Sequence, residues 1–353
     1  MVTVNDRRVY ADNLSRFAAA ARRQAGMPPV DAELVADSLV QADLWGHQSH
    51  GVMRLSWYLR RLEAGVMHPV GDSQWVSRSG AVAVLNGADS VGQVTAGKAM
   101  AAAIELAELH GIGAVAVRNS NHFGTAMYFT RMAPCRGQIG MLLTNASPAK
   151  APWGGGRKSV GTNPWSIAAP AVRHDPLLLD ISNTHVARGK IYLASQQGRQ
   201  LPPGWAADSA GEPTTDPATP LAGMILPMAG HKGYAIAVLV DVLAGVLSGS
   251  GFASGVRGPY QAELRAGVGH LAIALDIQAF MPLAEFNGRA EELIRDLKSV
   301  PPASGVDAIY YPGEQEARSD RLLRGAGITL PATTAAELTE LAASLALEPP
   351  TYF

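Results

Sequence analysis

The chain has 353 residues, 47% of them hydrophobic and 17% charged, with 29 Lys and Arg against 30 Asp and Glu. That much apolar material builds a substantial core and excludes a disordered or fibrous protein, while the length points to two domains or one large domain with an appendage. A net charge of −1, with no long run of like charges, lacks the basic excess that a nucleic-acid binder needs.

The low charge content suggests that another subunit covers part of the surface. Cys135, the single cysteine, can form neither an internal disulfide nor a thiolate zinc site of its own. The start, MVTVNDRRVY, has no apolar h-region, and the longest apolar stretch, Ala235 to Leu247, is interrupted by Asp241. The chain therefore reads as a soluble cytoplasmic protein without signal peptide or membrane span.

In chain order, Asp12 to Gln24 forms an alanine-rich helix that stops at Gly26. A second helix is predicted from Asp31, a good N-cap, with Leu34, Val35, Leu39 and Val40 on one side. The pattern resumes through Leu55, Tyr58, Leu59 and Leu62, with a break at HQSHG between Gly46 and Gly51. From residue 80 the period changes. Strands are predicted at 81–85, 112–117, 138–144, 177–181 and 271–275, and a helix at 95–109. A second helix, at 235–247, has almost no polar face and should be buried on most sides. The segment 202–220, rich in Pro, Gly, Asp and Thr, reads as a long irregular loop of the kind that often serves function. Thr334 to Glu337 has a capping-box pattern and opens a last helix through Leu338, Leu341 and Leu345. The alternation indicates an α/β or α+β fold with a helical N-terminal part.

The one match to a dinucleotide fingerprint, Gly111-Ile-Gly113-Ala-Val-Ala116, follows a helix and lies inside a strand. The fingerprint must follow a strand and open a helix, so this segment is a structural turn.

The densest polar cluster is Ser49 to Tyr58. His50, Arg54 and Tyr58 lie four apart and would share one face of a helix, where a guanidinium grips a carboxylate and a histidine exchanges a proton. Asp43, His47 and His50 also have helical metal-ligand spacing, but no second ligand cluster accompanies them, and the reading is of no metal. Asn119 to Thr125, with His122 at its centre, follows a strand and leads towards a helix, which is where α/β proteins place ligands. Gly-rich loops at 151–156 and 161–164 allow close backbone approach. His231 and Lys232 open the apolar helix and could hold an anion. Together these segments describe an active site for an anionic ligand.

The segments SHGVMRLSWY, VRNSNHFGTAMYF, TNASPAKAPWGGGRKSVGTNPWSIAAP, PPGWAADSAGEPTTDP, GHKGYAIAVLVDVLAG and YPGE resemble the type 2 malate/L-lactate dehydrogenase family, in the family's order and over nearly the whole chain. The resemblance implies a non-Rossmann fold that binds NAD or NADP, and a homodimer with active sites near the subunit boundary. It implies proton transfer by Ser49, His50 or His122, with both histidines as candidates and the shared face with Arg54 favouring His50. It implies substrate contacts at Arg54, Tyr58, Thr162, Arg188 and Gly189. It implies cofactor contacts at His122, Phe123, Gly124, Thr125, Ala126, Ile181, Ser182, Asn183, His231, Lys232, Gly313 and Glu314. Lys190 stands where the family's cyclic imino-acid reductases carry an acid, and Ala146 where some members have a serine.

The domains expected are a helical part over 1–75 joined by a C-terminal helix within 331–353, a central cofactor-binding α/β domain over 76–310, and a C-terminal segment over 311–353. The expected activity is hydride transfer between nicotinamide and C2 of a small 2-hydroxy or 2-oxo acid. The alternative within enzymes is reduction of a cyclic imino acid. A non-catalytic dimeric binding protein and a metal hydrolase are remoter readings.

Overall fold

The structure, a computed structural model, describes residues 7–186, 190–191, 194–195, 198–218 and 223–353. Strand β1 (Arg7–Val9) leads into helix α1 (Ala11–Gln24). Leu14, Phe17, Ala18 and Ala21 recur with the helical period and are buried, and Arg22 falls on the same stripe and is buried with them. Helix α2 (Pro29–Leu44) begins two residues before the predicted Asp31 cap. Pro29 takes the first helical position, where a missing N–H leaves no bond unmade and φ is already set for a helix.

Beyond Gly46 the chain makes two short 3₁₀ turns, Gln48–His50 and Val52–Arg54, before helix α3 (Leu55–Glu63). Gly51 separates the turns in an extended conformation (φ −85°, ψ −152°). A Cβ on Gly51 would lie 1.9 Å from Oδ1 of the buried Asp43, whose Oδ2 accepts the Val52 N–H at 2.8 Å. This is the break that the two glycines predict. It contradicts the expectation that His50, Arg54 and Tyr58 share one helical face, since only Tyr58 lies in α3.

The central region contains β2 (Gln74–Ser79), β3 (Val82–Asn86), α4 (Gly92–His110), β4 (Ile112–Ser120), α5 (Met127–Thr130), β5 (Gln138–Thr144), β6 (Pro148–Lys150), β7 (Val160–Gly161), β8 (Trp165–Ala169) and β9 (Leu177–Ile181). The 202–220 loop carries the two-residue strands β10 (Ala206–Ala207) and β11 (Pro213–Thr214), which form a small sheet with β12 (Met224–Ile225). Then follow α6 (His231–Asp241), β13 (Val268–Asp276), α7 (Leu283–Ser299), α8 (Glu314–Ala326), β14 (Ile328–Leu330) and α9 (Ala332–Ser344). Helix α9 starts after Pro331, whose extended ψ of 143° sets the entry; Thr334 is buried inside the helix and does not cap it.

The main sheet has seven strands in the order β2-β3-β4-β13-β5-β8-β9. Its one parallel pair is β3 with β4, joined through α4; the other neighbours are antiparallel. Gly111 (φ +80°) ends α4, and a Cβ on Gly113 would lie 2.0 Å from the Ala103 carbonyl oxygen. The two glycines therefore let the strand run directly beneath the helix, as a structural turn. A sheet with one parallel pair is not the doubly wound sheet of a Rossmann domain.

Two cores result. One is shared by α1, α2 and α3 with Ile328, Leu330, Leu338 and Ala342 from the C-terminal end, and β1 pairs with β14 beside it. The other lies between α4, the loop beyond β4 and the sheet. Helix α6 departs from expectation. It continues through a π turn over Val242–Val246 and buries Gly233, Ala237, Val240, Ala244 and Gly245, while Leu239 (63% exposed), Val242, Val246 and Leu247 (61%) face outward. Small residues bring its inner side against the sheet, and the apolar row is left on its outer side.

His270, on β13, is fully buried. Its Nδ1 lies 2.8 Å from Thr144 Oγ1 and its Nε2 2.7 Å from Ser120 Oγ, which in turn meets Thr95 Oγ1 at 2.6 Å. Burial pushes His270 down to about 3 and, with Arg54 and His47 adding to it, His50 as well. In the unfolded chain these rings take a proton near ~6.5. Between those limits the unfolded state binds more protons, so stability is present at neutral pH and falls as pH drops. Asp43, raised by burial to about 8, works the other way above the usual carboxylate range. His270→Gln should flatten the pH slope of the unfolding free energy near pH 5 by roughly 1.4 kcal/mol per unit in urea titrations. An unchanged slope would mean that His270 titrates normally in the fold.

Candidate active site

At the end of β4 the chain enters the loop from Asn121 to Ala126. Buried Asn121 anchors it, with Nδ2 donating to the Asp89 and Ser90 carbonyls at 3.0 and 2.9 Å and Oδ1 accepting from Arg61 Nη2 at 3.1 Å. His122 follows. Its Nδ1 lies 2.6 Å from the Tyr58 hydroxyl and accepts the Gly124 N–H at 3.3 Å. A backbone N–H can only donate, so Nδ1 is an acceptor, Tyr58 donates to it as well, and the neutral ring carries its proton on Nε2. Gly124, at φ +86°, makes the turn that brings its N–H back to the ring. Among the described residues no protein group occupies Nε2.

Beside it, the His50 ring stacks at 5.7 Å and 18° from the His122 ring, and Ser49 Oγ lies 2.9 Å from His50 Nδ1. Arg54 reaches back, its Nε donating to the Ser49 carbonyl at 2.7 Å and its guanidinium lying 4.2 Å over the Trp57 ring. Burial, then His50, Arg54, His270 and Arg61, holds His122 well below the usual histidine range. Both site histidines are thus neutral at pH 7. Burial pushes Tyr58 up to about 12, against the pull of the Arg54 and Arg22 guanidiniums. Asp43, His47 and His50 do not converge as ligands: Asp43 holds Val52, and His47 Nε2 lies 3.4 Å from Glu316 Oε1.

The expected cofactor segments form a connected frame around β9. Met127 N–H donates to Asp180 Oδ2 at 2.9 Å, tying the His122 loop beside Ile181. Phe123 is buried edge-on against His270 and Phe129. Ser182 Oγ meets Thr184 Oγ1 at 3.0 Å. Buried Asn183 donates its N–H to the Thr162 carbonyl at 3.0 Å and Nδ2 to Asn163 at 2.6 Å, while its own carbonyl accepts Lys150 Nζ at 2.9 Å and Met228 N at 3.3 Å. Ala146 N–H donates to Asn163 Oδ1 at 3.0 Å. Past Met228 comes α6, with His231 against Trp153 and both His231 and Lys232 exposed in its first turn. Gly313 (φ +94°) opens α8 against Leu178, and Glu314 pairs with Lys298 at 2.7 Å. Arg188 and Gly189 lie outside the described residues.

Sequence reasoning passed over Arg22, Arg61, Lys150 and Asp180. Arg22 had a signal, because it sits on the apolar stripe of α1. Asp180 had one too, as a carboxylate closing the apolar run Leu177 to Leu179. Lys150, fully buried and lowered to about 8 by burial, had none.

The frame fits a dinucleotide. Thr125 Oγ1 is buried without a hydrogen-bond partner among the described residues, and Lys232 stands at the electropositive first turn of α6, where phosphate is favoured. The malate/L-lactate dehydrogenase family profile matches residues 9–339. The L-sulfolactate dehydrogenase of Methanocaldococcus jannaschii is 38% identical over 97% of this chain and 96% of its own. The (2R)-3-sulfolactate dehydrogenase (NADP(+)) of Chromohalobacter salexigens is 35% identical over 93% of this chain and 96% of its own. The solved malate dehydrogenase of Pyrococcus horikoshii superposes with a TM-score of 0.92 at 32% identity, covering 99% of this chain and 98% of that one. Sequence profile and fold agree: the chain belongs to the malate/L-lactate dehydrogenase family and is an oxidoreductase that uses NAD or NADP.

Proposed function

We propose that the protein interconverts a small 2-hydroxy acid and its 2-oxo acid, with Arg54 holding the substrate carboxylate and His122 exchanging the proton at the C2 oxygen. The bound nicotinamide supplies or takes the hydride. The observation that carries the reading is the occupied Nδ1 of His122, which leaves an Nε2–H as the ring's free polar group among the described residues, on a ring that feels the Arg54 charge. His50 is the stacked neighbour, held by Ser49, and positions His122 and the substrate. The order of preference between the histidines thus reverses. The shared helical face that favoured His50 is absent, whereas the tautomer of His122 is set by two donors.

Cyclic imino-acid reduction is the second reading, since such a substrate also carries a carboxylate beside an sp² centre. Lys190, where the reductases hold an acid, favours the hydroxy acid. Lys232, with the loops around Asn183 and Thr125, would hold the dinucleotide. A homodimer is supported by the outward apolar row Leu239, Val242, Val246 and Leu247, a surface that a monomer would leave in water.

Arg54→Lys keeps the charge but loses the two-pronged fork. kcat/KM for 2-oxo acids should fall by at least ~100-fold, measured by nicotinamide absorbance with both cofactors. A near-wild-type value would remove Arg54 from the site, and turnover of cyclic imines alone would favour the second reading. His122→Gln should abolish one limb of the pH profile of kcat/KM and cost roughly 10²–10⁴ in rate, while His50→Gln keeps that limb. The limb should lie below the usual histidine range, because burial lowers His122. The reverse pattern would return the proton to His50. In sedimentation the protein should run as two chains and Leu239→Glu as one; a wild-type monomer would refute the dimer.

A further inference from the structure

Arg22 is the least explained charge in the molecule. It is fully buried on the apolar stripe of α1, and its Nε and Nη2 have no hydrogen-bond partner among the described residues. Its Nη1 faces only the Met27 sulfur, at 3.9 Å. Burial lowers it to about 10, with the Tyr58 side chain as the one group that pulls it back up. An unpaired buried cation is costly, and one well-packed apolar side chain would be easier to fold around. What the guanidinium does face is the Tyr58 ring, 4.9 Å away. Arg54, ahead of Arg22, and then Gln93 and Arg61 also act on Tyr58, but Arg54 is spent on the Ser49 carbonyl and Trp57, and Arg61 on the Gln261 and Leu264 carbonyls and Asn121.

We propose that Tyr58 is the proton source behind His122 and that Arg22 is the fixed charge that stabilises Tyr58 once it has given the proton up; the proposal rests on the reading that His122 protonates the substrate oxygen. His122 begins neutral, with Nδ1 accepting and Nε2 protonated, so it cannot give up the Nε2 proton alone without becoming an imidazolate. The Tyr58 hydroxyl, 2.6 Å from Nδ1, removes that obstacle. As the C2 oxygen gains negative charge, Nε2–H breaks and the substrate O–H forms, while the Tyr58 O–H breaks and Nδ1–H forms. The imidazole stays neutral and the negative charge passes from alkoxide to phenolate, the weaker base, beneath the Arg22 guanidinium. After product leaves, water returns a proton to Nε2 and Nδ1 returns its own to Tyr58. The Gly124 N–H, pointing at Nδ1, disfavours the Nδ1–H form and drives that return. In hydroxy-acid oxidation the same steps run backwards. Tyr58 and Arg22 act through His122 and are positioning residues in this scheme.

The test is a solvent-deuterium proton inventory on kcat with saturating NADH or NADPH and 2-oxo acid. The wild-type plot should be curved, with two protons in flight. Tyr58→Phe should lower kcat about 100-fold with KM nearly unchanged, and make the plot linear. Arg22→Met should lower kcat about tenfold or more, and Arg22→Lys, which retains the charge, should recover most of it with the curvature. Should the Met variant fail to fold, a linear inventory in Arg22→Lys would still defeat the part given to Arg22. A linear wild-type plot, or a Tyr58→Phe enzyme of near-wild-type kcat, would overturn the relay. Nitrogen-15 NMR of the cofactor-free protein should show His122 protonated on Nε2, and a proton on Nδ1 would overturn it without any turnover being measured. Absence of turnover with every 2-oxo acid would instead defeat the functional reading and leave the NMR result standing.

Discussion

The contact on which the site depends joins the Tyr58 hydroxyl to Nδ1 of His122. It bridges the two halves of the molecule, because Tyr58 belongs to the helical core and His122 to the loop beyond a central strand. Its direction follows from a second donor, the Gly124 N–H, at the same nitrogen. With both donors present the neutral ring has one tautomer, protonated on Nε2. Helix α3 must therefore stay docked for the imidazole to stay oriented. Arg61 secures this docking, gripping Asn121 and the 261–264 segment from the same helix.

Around that contact the structure accepts several groups that weaken a fold. Arg22, Asp43 and Lys150 are charged side-chain types buried with few partners, and His50, His122 and His270 are held neutral by burial. A well-packed apolar core would be more stable without them. Their positions explain the exchange. Asp43 shapes the Gly51 turn that carries Ser49, His50 and Arg54, and Lys150 fixes the Asn183 carbonyl just beyond β9. Polar groups bought at this cost fix geometry rather than add stability.

The segments that the resemblance assigns to the cofactor are drawn together by the mixed sheet without a glycine fingerprint. Segments far apart in sequence meet along β9: the His122 loop through Asp180, Thr162 and Met228 through Asn183, and Pro312 through Leu178. Each link is a main-chain or buried amide hydrogen bond, which holds position better than surface ion pairs do.

The sequence by itself determined much of this. Apolar periodicity located α1, α2, α4 and five strands of the main sheet, since those elements bury one face or both. It missed two strands of that sheet, β8 and β2, the latter mostly exposed at the sheet edge, and the polar, surface-lying α7 and α8, where a weakly buried element leaves little apolar signal. Motif resemblance named the family and gathered Ser49, His50, Arg54 and His122. The tertiary structure decided what spacing could not: Gly51, packed against Asp43, is extended between two 3₁₀ turns, so the helical face shared by His50 and Arg54 never forms. It also decided the His122 tautomer, because a ring nitrogen's role is set by donors from residues 58 and 124, brought together only when the helices dock on the sheet. And it placed Arg22: in sequence it is a misplaced charge on an apolar stripe, and in the fold it lies over the Tyr58 ring, whose hydroxyl meets His122.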